Sequence, residues 1–194
     1  MYGYSSKHQL KKTLVLVVLL VCCMPQTLSA ALLSFMQVTG ETQGNIEGGS
    51  TLPGREGHIE LVEYGHSVSQ AIDSATGVPA GDKQHRAIRV TKEIDKSSPL
   101  LMTAMTNSEK LTDVTIRFWR PSNLGKEIQF YTVELVNAYI ANISHSSRTY
   151  ADDDWRTVVT APANETLTIS YEKIVWTWED GGITSEDDWD QTSP

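Results

Sequence analysis

Apolar side chains recur two positions apart through most of residues 57–178, and that spacing commits the chain to β-strands. Val114, Ile116 and Phe118 oppose Thr115, Arg117 and Trp119. Ile88 and Val90 oppose Arg89 and Thr91, and Tyr131, Val133 and Leu135 share one face of a longer run. Each such strand must bury a face, so several together predict packed or closed sheets. The spacing predicts strands over 33–38, 57–68, 87–91, 111–119, 128–143 and 165–178.

Two of these runs slip in phase. After Leu135 the apolar set moves to Val136, Ala138 and Ile140; after Leu167, Ile169 and Tyr171 it moves to Ile174, Trp176 and Trp178. A one-residue slip turns every later side chain to the other face, which predicts a bulge or a bend.

One stretch changes period altogether. Ser97 or Ser98 can cap a helix and Pro99 suits its first turn; Leu100, Leu101, Met102, Ala104 and Met105 follow. A short helix over 98–106, ended by Asn107 and Ser108, is expected to plug one side of the sheets. The expected fold class is therefore mainly all-β: a small antiparallel β-barrel or sandwich with one short flanking α-helix. Residues 41–56 and 69–85, with their glycines and few large apolar side chains, read as long loops.

The first 31 residues read as a signal peptide. Lys7, Lys11 and Lys12 precede an uncharged apolar run from Thr13 to Met24, and Ser29, Ala30 and Ala31 supply small residues for cleavage after Ala30 or Ala31. The run is shorter than the roughly 20 residues a membrane-spanning helix needs, so no span is expected in the mature chain. Three parts follow: a signal peptide at 1–31, a barrel domain at 32–182, and an acidic, disordered tail at 183–194.

Both cysteines, Cys22 and Cys23, lie within that apolar run. The mature chain is left without thiolate chemistry or disulfides. The net charge of −8 becomes more acidic when the three lysines leave, which argues against nucleic acid as a partner.

Catalytic patterns are not evident. His58 and His66 are too far apart along a strand, at about 3.3 Å per residue, to share a metal; with His85 and His145 they read as ordinary surface histidines. Asp152-Asp153-Asp154 and Glu186-Asp187-Asp188 lack the alternating ligands and turn glycine of an EF-hand loop. Trp119, Trp155, Trp176, Trp178 and Trp189 read as packing residues before a sugar platform, and the sequons at Asn142 and Asn164 as chance triplets. No cofactor, no metal and no enzymatic activity are expected.

The segment Ile94-Asp95-Lys96-Ser97-Ser98-Pro99-Leu100-Leu101-Met102, preceded by the alternating strand 87–91, resembles the strand-to-helix junction of the haemolysin-coregulated protein (Hcp) family. Thr42-Gln43-Gly44-Asn45-Ile46 and Trp176-Thr177-Trp178-Glu179-Asp180-Gly181-Gly182 are similar to that family's two ends. The resemblance spans about 32–182. It implies a β-barrel subunit that closes into a homohexameric ring, stacks into the tube of a type VI secretion system, and carries effectors. It also implies contacts from the loop 69–85 to a neighbouring subunit.

A closing ring needs a heterologous interface. The runs 57–68 and 130–143 have two partly apolar faces, so one face is expected to meet the core and the other a neighbour, with Val62, Tyr64, Val133 and Leu135 as candidate contacts. Tube subunits of this family normally lack a signal peptide, and three readings stay open. The chain is an exported paralogue, secreted or periplasmic. Or translation starts at Met24, giving a cytoplasmic subunit exported by type VI secretion. Or the apolar segment is a removable appendage of another kind. The alternative from another class is a monomeric secreted β-sandwich that binds a ligand or partner.

Overall fold

The computed structural model describes residues 33–147, 149–151, 158–160 and 162–189. The expected signal peptide, with Ala30 and Ala31, and the run Asp152-Asp153-Asp154 lie outside the described residues.

Strand β1 (Leu33–Gly40) pairs antiparallel with β8 (Leu111–Pro121), and β8 with β9 (Glu127–Ser146). The 20-residue strand β9 is long enough to serve two sheets. Its first half pairs with β13 (Lys173–Trp178) and its second half with β12 (Asn164–Ser170). Strand β12 then pairs with β7 (Ile88–Glu93), and β7 with β4 (Glu63–Gly65). Strand β3 (Ile59–Leu61) returns to β1, beside the short β2 (Gly44–Ile46). Only Val62 separates β3 from β4. Its amide donates to the Thr91 carbonyl at 2.7 Å, so the chain crosses from one sheet edge to the other there and closes the barrel.

Both phase slips read from the sequence belong to one corner of this barrel. Asn137 adopts φ 51°, in the left-handed region that asparagine tolerates better than most residues. Val133 and Leu135 point inward before it, and Ala138 and Ile140 after it. Val136, expected inward with the second set, is instead exposed. Opposite, Tyr171 and Glu172 interrupt what the sequence suggested was one strand, giving β12 and β13.

Met36, Val38, Ile59, Ile88, Val90, Val114, Ile116, Val133, Leu135, Leu167 and Ile169 are all essentially without solvent contact and form a single core. The helix α1 (Ser98–Thr106) matches the expected bounds and adds Leu101 and Ala104 to that core. Ser97 stands at its N-cap, yet neither serine side chain caps it. Ser108, at φ 50°, turns the chain out of the helix. Gly48 lets the loop before β3 lie against it: a Cβ there would sit 2.4 Å from the His58 carbonyl.

Three loop or tail assignments are corrected. Residues 69–85, read as a loop, form most of a hairpin of β5 (Val68–Ile72) and β6 (Pro79–His85), which pair with each other and with no other strand among the described residues. Asp73 makes its turn, with Oδ1 accepting the amides of Ala75 and Thr76, and Gly77 supplying φ 72°. The supposedly disordered tail begins with β14 (Ile183–Asp188), paired along its length with β13. The loop 41–56 contains β2. A further short pair joins β10 (Thr149–Ala151) to β11 (Val158–Thr160).

Candidate assembly surfaces

Strand pairing places opposed residues on a common face, so the register shows what the barrel presents outward. Across one sheet the outward row reads Gln37, Thr115, Glu134, Val175 and Glu186. Across the other it reads Glu63, Thr91, Thr166 and Ser144. The second row is polar throughout; the first is polar except for Val175, and part of its face is covered, Thr115 and the neighbouring Phe35 being buried and Arg55 lying over Phe35 and Trp119.

Some exposed apolar side chains lie on these strands, Ile128, Val136, Tyr139 and Trp178 among them, and others lie elsewhere. The β5–β6 arm exposes Val68, Ile72 and Val78, each by 41% or more. At the barrel seam, Val62 is 61% exposed and shares a groove with Leu52 and Ile94, whose walls include Gly49, Ser50, Glu60 and Glu93. Leu124 in the β8–β9 turn and Ile183 at the start of β14 are also exposed. Nearby, Arg120 stacks on Phe130 and Trp178, its guanidinium 5.0 and 5.3 Å from the ring centroids.

The four candidate contact residues separate into two groups. Val62 is exposed at the seam, and Tyr64 is half-buried, its ring edge-on to Phe118 at 5.1 Å. Val133 and Leu135 have no solvent exposure at all and lie in the core. Their placement on a contact surface is therefore corrected: the phase of β9 turns them inward, and its outward residues at this point are Glu134 and Val136. Leu52 and Ile94 were not among the candidates, whereas most of the arm lies within the loop 69–85 to which the resemblance assigned neighbour contacts. The arm's turn signal, an aspartate followed by a glycine four residues on, was readable.

Two buried polar clusters stabilise the regions around these surfaces. At the strand-to-helix junction, Lys92 and Glu165 are both fully buried with Nζ and Oε1 2.7 Å apart. Lys92 also reaches Asp95 Oδ1 at 2.8 Å, the Glu93 carbonyl at 2.7 Å and Ser98 Oγ at 3.1 Å. Ser98 Oγ donates to Glu165, and His145 Nε2 to the other oxygen of that carboxylate at 3.0 Å. Burial pushes the Asp95 carboxyl up, but hydrogen bonds from Lys92, Ser97 and Gly49 outweigh it and hold the group below its usual range. A serine beside a lysine invites a nucleophile reading. Here Lys92 Nζ donates to Ser98 Oγ and to two carboxylates, and Ser98 in turn donates to Glu165, so the lysine faces the serine as a donor and not as its base.

The second cluster lies at the base of the arm. His66 Nε2 and His85 Nδ1 both meet the Tyr171 hydroxyl, at 2.7 and 2.9 Å. His85 Nε2 continues to Asp187 Oδ2 at 3.1 Å, and Lys83 pairs with the other oxygen of Asp187. The reading of all four histidines as ordinary surface residues is thus corrected for His85, which is buried, and for His66 and His58, which are half-buried, the first beneath Trp176 and the second beside Phe35. Burial, then the neighbouring His85, lowers the His66 pKa. Among the described residues no group of three or more His, Cys, Asp or Glu side chains is arranged to hold a metal ion, and no helix is long and apolar enough to cross a membrane.

Residues 35–178 match the family model described as "Type VI secretion system effector, Hcp". The chain belongs to the Hcp family. Similarity to individual members agrees with this. Hcp relatives include the "Major exported protein" of Pseudomonas aeruginosa, 32% identical over 171 residues, with 80% of this chain and 94% of the relative covered. "Uncharacterized protein YhhZ" of Escherichia coli K12 is 30% identical over 147 residues; these cover 73% of this chain but 33% of that much longer protein. Among solved structures, a crystal structure of an Hcp protein aligns with TM-score 0.73 at 28% identity, over 83% of this chain and 99% of the other. The secreted protein Hcp3 of Pseudomonas aeruginosa aligns with TM-score 0.61 at 28% identity, over 83% and 100%. This chain is an Hcp-like type VI secretion protein with the family's barrel and flanking helix.

Proposed function

We propose that this chain is a non-catalytic tube subunit or effector carrier that closes into a homohexameric ring with copies of itself. Rings then stack, and the chain leaves the cell through type VI secretion or works as an exported paralogue. Its further partners are components of the secretion machine and effectors held within the ring. The supporting observation is the amount of exposed apolar surface: Val68, Ile72 and Val78 on the arm and Val62, Leu52 and Ile94 at the seam are all exposed. A lone soluble barrel has little use for a projecting arm with three exposed branched or β-branched side chains.

Val62, Leu52 and Ile94 on one subunit and the arm of another are the proposed contact, an asymmetric pairing of the kind that generates rings. A stable contact of standard size buries about 1,600 Å² in total. Negative-stain electron microscopy tests the reading. Annular particles are expected from the wild type and isolated small particles from Val62→Asp, whose circular dichroism should match that of the wild type. Annuli of normal yield in the variant would remove the seam from the interface.

A further inference from the structure

The arm has its own two-stranded ladder but joins the barrel through few groups. The Arg86 amide on the Ser67 carbonyl, at 3.1 Å, closes the arm's own stem, and the side chains of His66, Lys83 and His85 hold that stem to the barrel. Those side chains meet Tyr171, between β12 and β13, and Asp187 on β14. The arm and the β13–β14 hairpin are thus tied together by one polar chain.

The hydrogen positions in that chain are strongly constrained. Burial, then the charge of Asp187, raises the Tyr171 pKa, so its hydroxyl keeps its proton. Burial raises the Asp187 pKa, but hydrogen bonds from Lys83 and His85 outweigh it, so the carboxylate stays charged and accepts. His85 must therefore donate from Nε2 to Asp187. When neutral, its Nδ1 is an acceptor, and it takes the Tyr171 proton. Tyr171 Oη then accepts from His66 Nε2–H. Every group is satisfied, in one direction: His66 to Tyr171 to His85 to Asp187.

One added proton can be absorbed. A charged His85 donates from both nitrogens, the tyrosine hydroxyl turns round, and His66 accepts its proton in the other tautomer. A second proton cannot be absorbed in this way. Both imidazoles would then aim a charged N–H at one hydroxyl oxygen, with Lys83 adding a third positive charge. Among the described residues, Asp187 is the single carboxylate in direct contact. Trp176 packs on His66, and Trp189 packs on His85 and Tyr171, both of which are buried. Beyond Tyr171 a groove holds Lys110 and Glu172, and on β14 the neighbouring Glu186 is already paired with Lys173.

We infer that His66, Tyr171, His85 and Asp187 form a proton-operated latch that holds the arm to the barrel at neutral pH and releases it in mild acid. The consequence for assembly rests on the proposal that the arm contacts a neighbouring copy; release itself does not. Acid would then loosen rings or stacks through the arm while the barrel stays folded.

Hydrogen exchange read by mass spectrometry on the full chain at pH 7.5 and 5.5, corrected for intrinsic exchange rates, tests this. Protection of residues 66–85 is expected to fall at least about tenfold at pH 5.5, with the β8 and β9 core unchanged. His66→Gln keeps a neutral donor to Tyr171 and is expected to retain protection at both values. Unchanged wild-type protection at pH 5.5 overturns the latch, and so does a variant that loses protection as the wild type does. Should the variant not fold, an NMR titration of the wild type decides. His66 carbons and arm amides shifting with one midpoint support the latch, and arm amides that ignore the His66 midpoint overturn it. Light scattering at pH 7.5 is read separately: a single-subunit mass there contradicts the assembly reading and leaves arm release to the exchange result.

Discussion

Asn137 Nδ2 donates to Glu172 Oε2 at 2.6 Å, across the corner where β9 passes from one sheet to the other. The Glu172 amide donates to the Val136 carbonyl at 3.2 Å at the same place. One residue in the left-handed region and one facing carboxylate thus reverse the side-chain phase of a long strand without breaking it. Asn137→Val should cost about 1–3 kcal/mol, because a β-branched residue strains at that φ. Asn137→Gly should cost less, since it loses the hydrogen bond but not the backbone freedom. Urea unfolding of both variants measures the order; a valine variant as stable as the wild type would contradict the bulge.

Burial of the Lys92–Glu165 pair predicts asymmetric mutational behaviour. Lys92→Met alone leaves the Glu165 carboxylate buried without its ammonium, and should cost about 3–5 kcal/mol. The double variant Lys92→Met with Glu165→Leu should recover a large part of that loss. Chemical denaturation of the two single variants and the pair gives the coupling directly. Additive losses would show that the two side chains do not depend on each other.

The depressed pKa of Asp95 gives a pH dependence with a definite sign. Its contribution to stability is full above the unfolded carboxylate pKa of about 4 and is lost as pH falls through the lower folded value. The unfolding midpoint should therefore drop below about pH 4, and Asp95→Asn should flatten part of that drop. The lowered His66 pKa acts from the other side of neutrality. The unfolded chain takes up that proton more readily, so stability should also decline as pH falls below about 6.5, and His66→Gln should remove that component.

Val133 and Val62 are separated by their surroundings rather than their chemistry. Val133→Asp buries an unpaired charge in the core and should abolish folding or cost about 4 kcal/mol or more. Val62→Asp sits on an exposed seam and should change the unfolding free energy of the subunit by no more than about 0.5 kcal/mol while removing annular particles. Equal stability losses in the two variants would contradict this division.

Strand alternation and the serine-proline start of α1 were readable because each obeys a single local period. The phase slips at Leu135 and Tyr171 marked the barrel corner, but a slip does not say which residue absorbs it; Asn137 does so through its backbone. Val133 and Leu135 were misplaced for a related reason. A strand apolar on both sides looks like an interface, whereas β9 changes faces midway, and each apolar set is simply the inward one in its own half. The Ser97 and Ser98 side chains looked like caps because their spacing fits one, yet Asp95 and Glu165, one of them far off in sequence, draw their hydroxyls away. The tail 183–194 reads as acidic and soluble, but pairing with β13 gives β14 its order, and no local pattern reports a partner. His66 and His85 meet through Tyr171, 105 and 86 residues away, which composition cannot foretell.

Native mass spectrometry of the purified protein addresses the assembly most directly. The proposed ring predicts a particle of six subunits at micromolar concentration, dissociating when the exposed seam residue Val62 is replaced by aspartate. A wild-type particle with the mass of one subunit under the same conditions would contradict it.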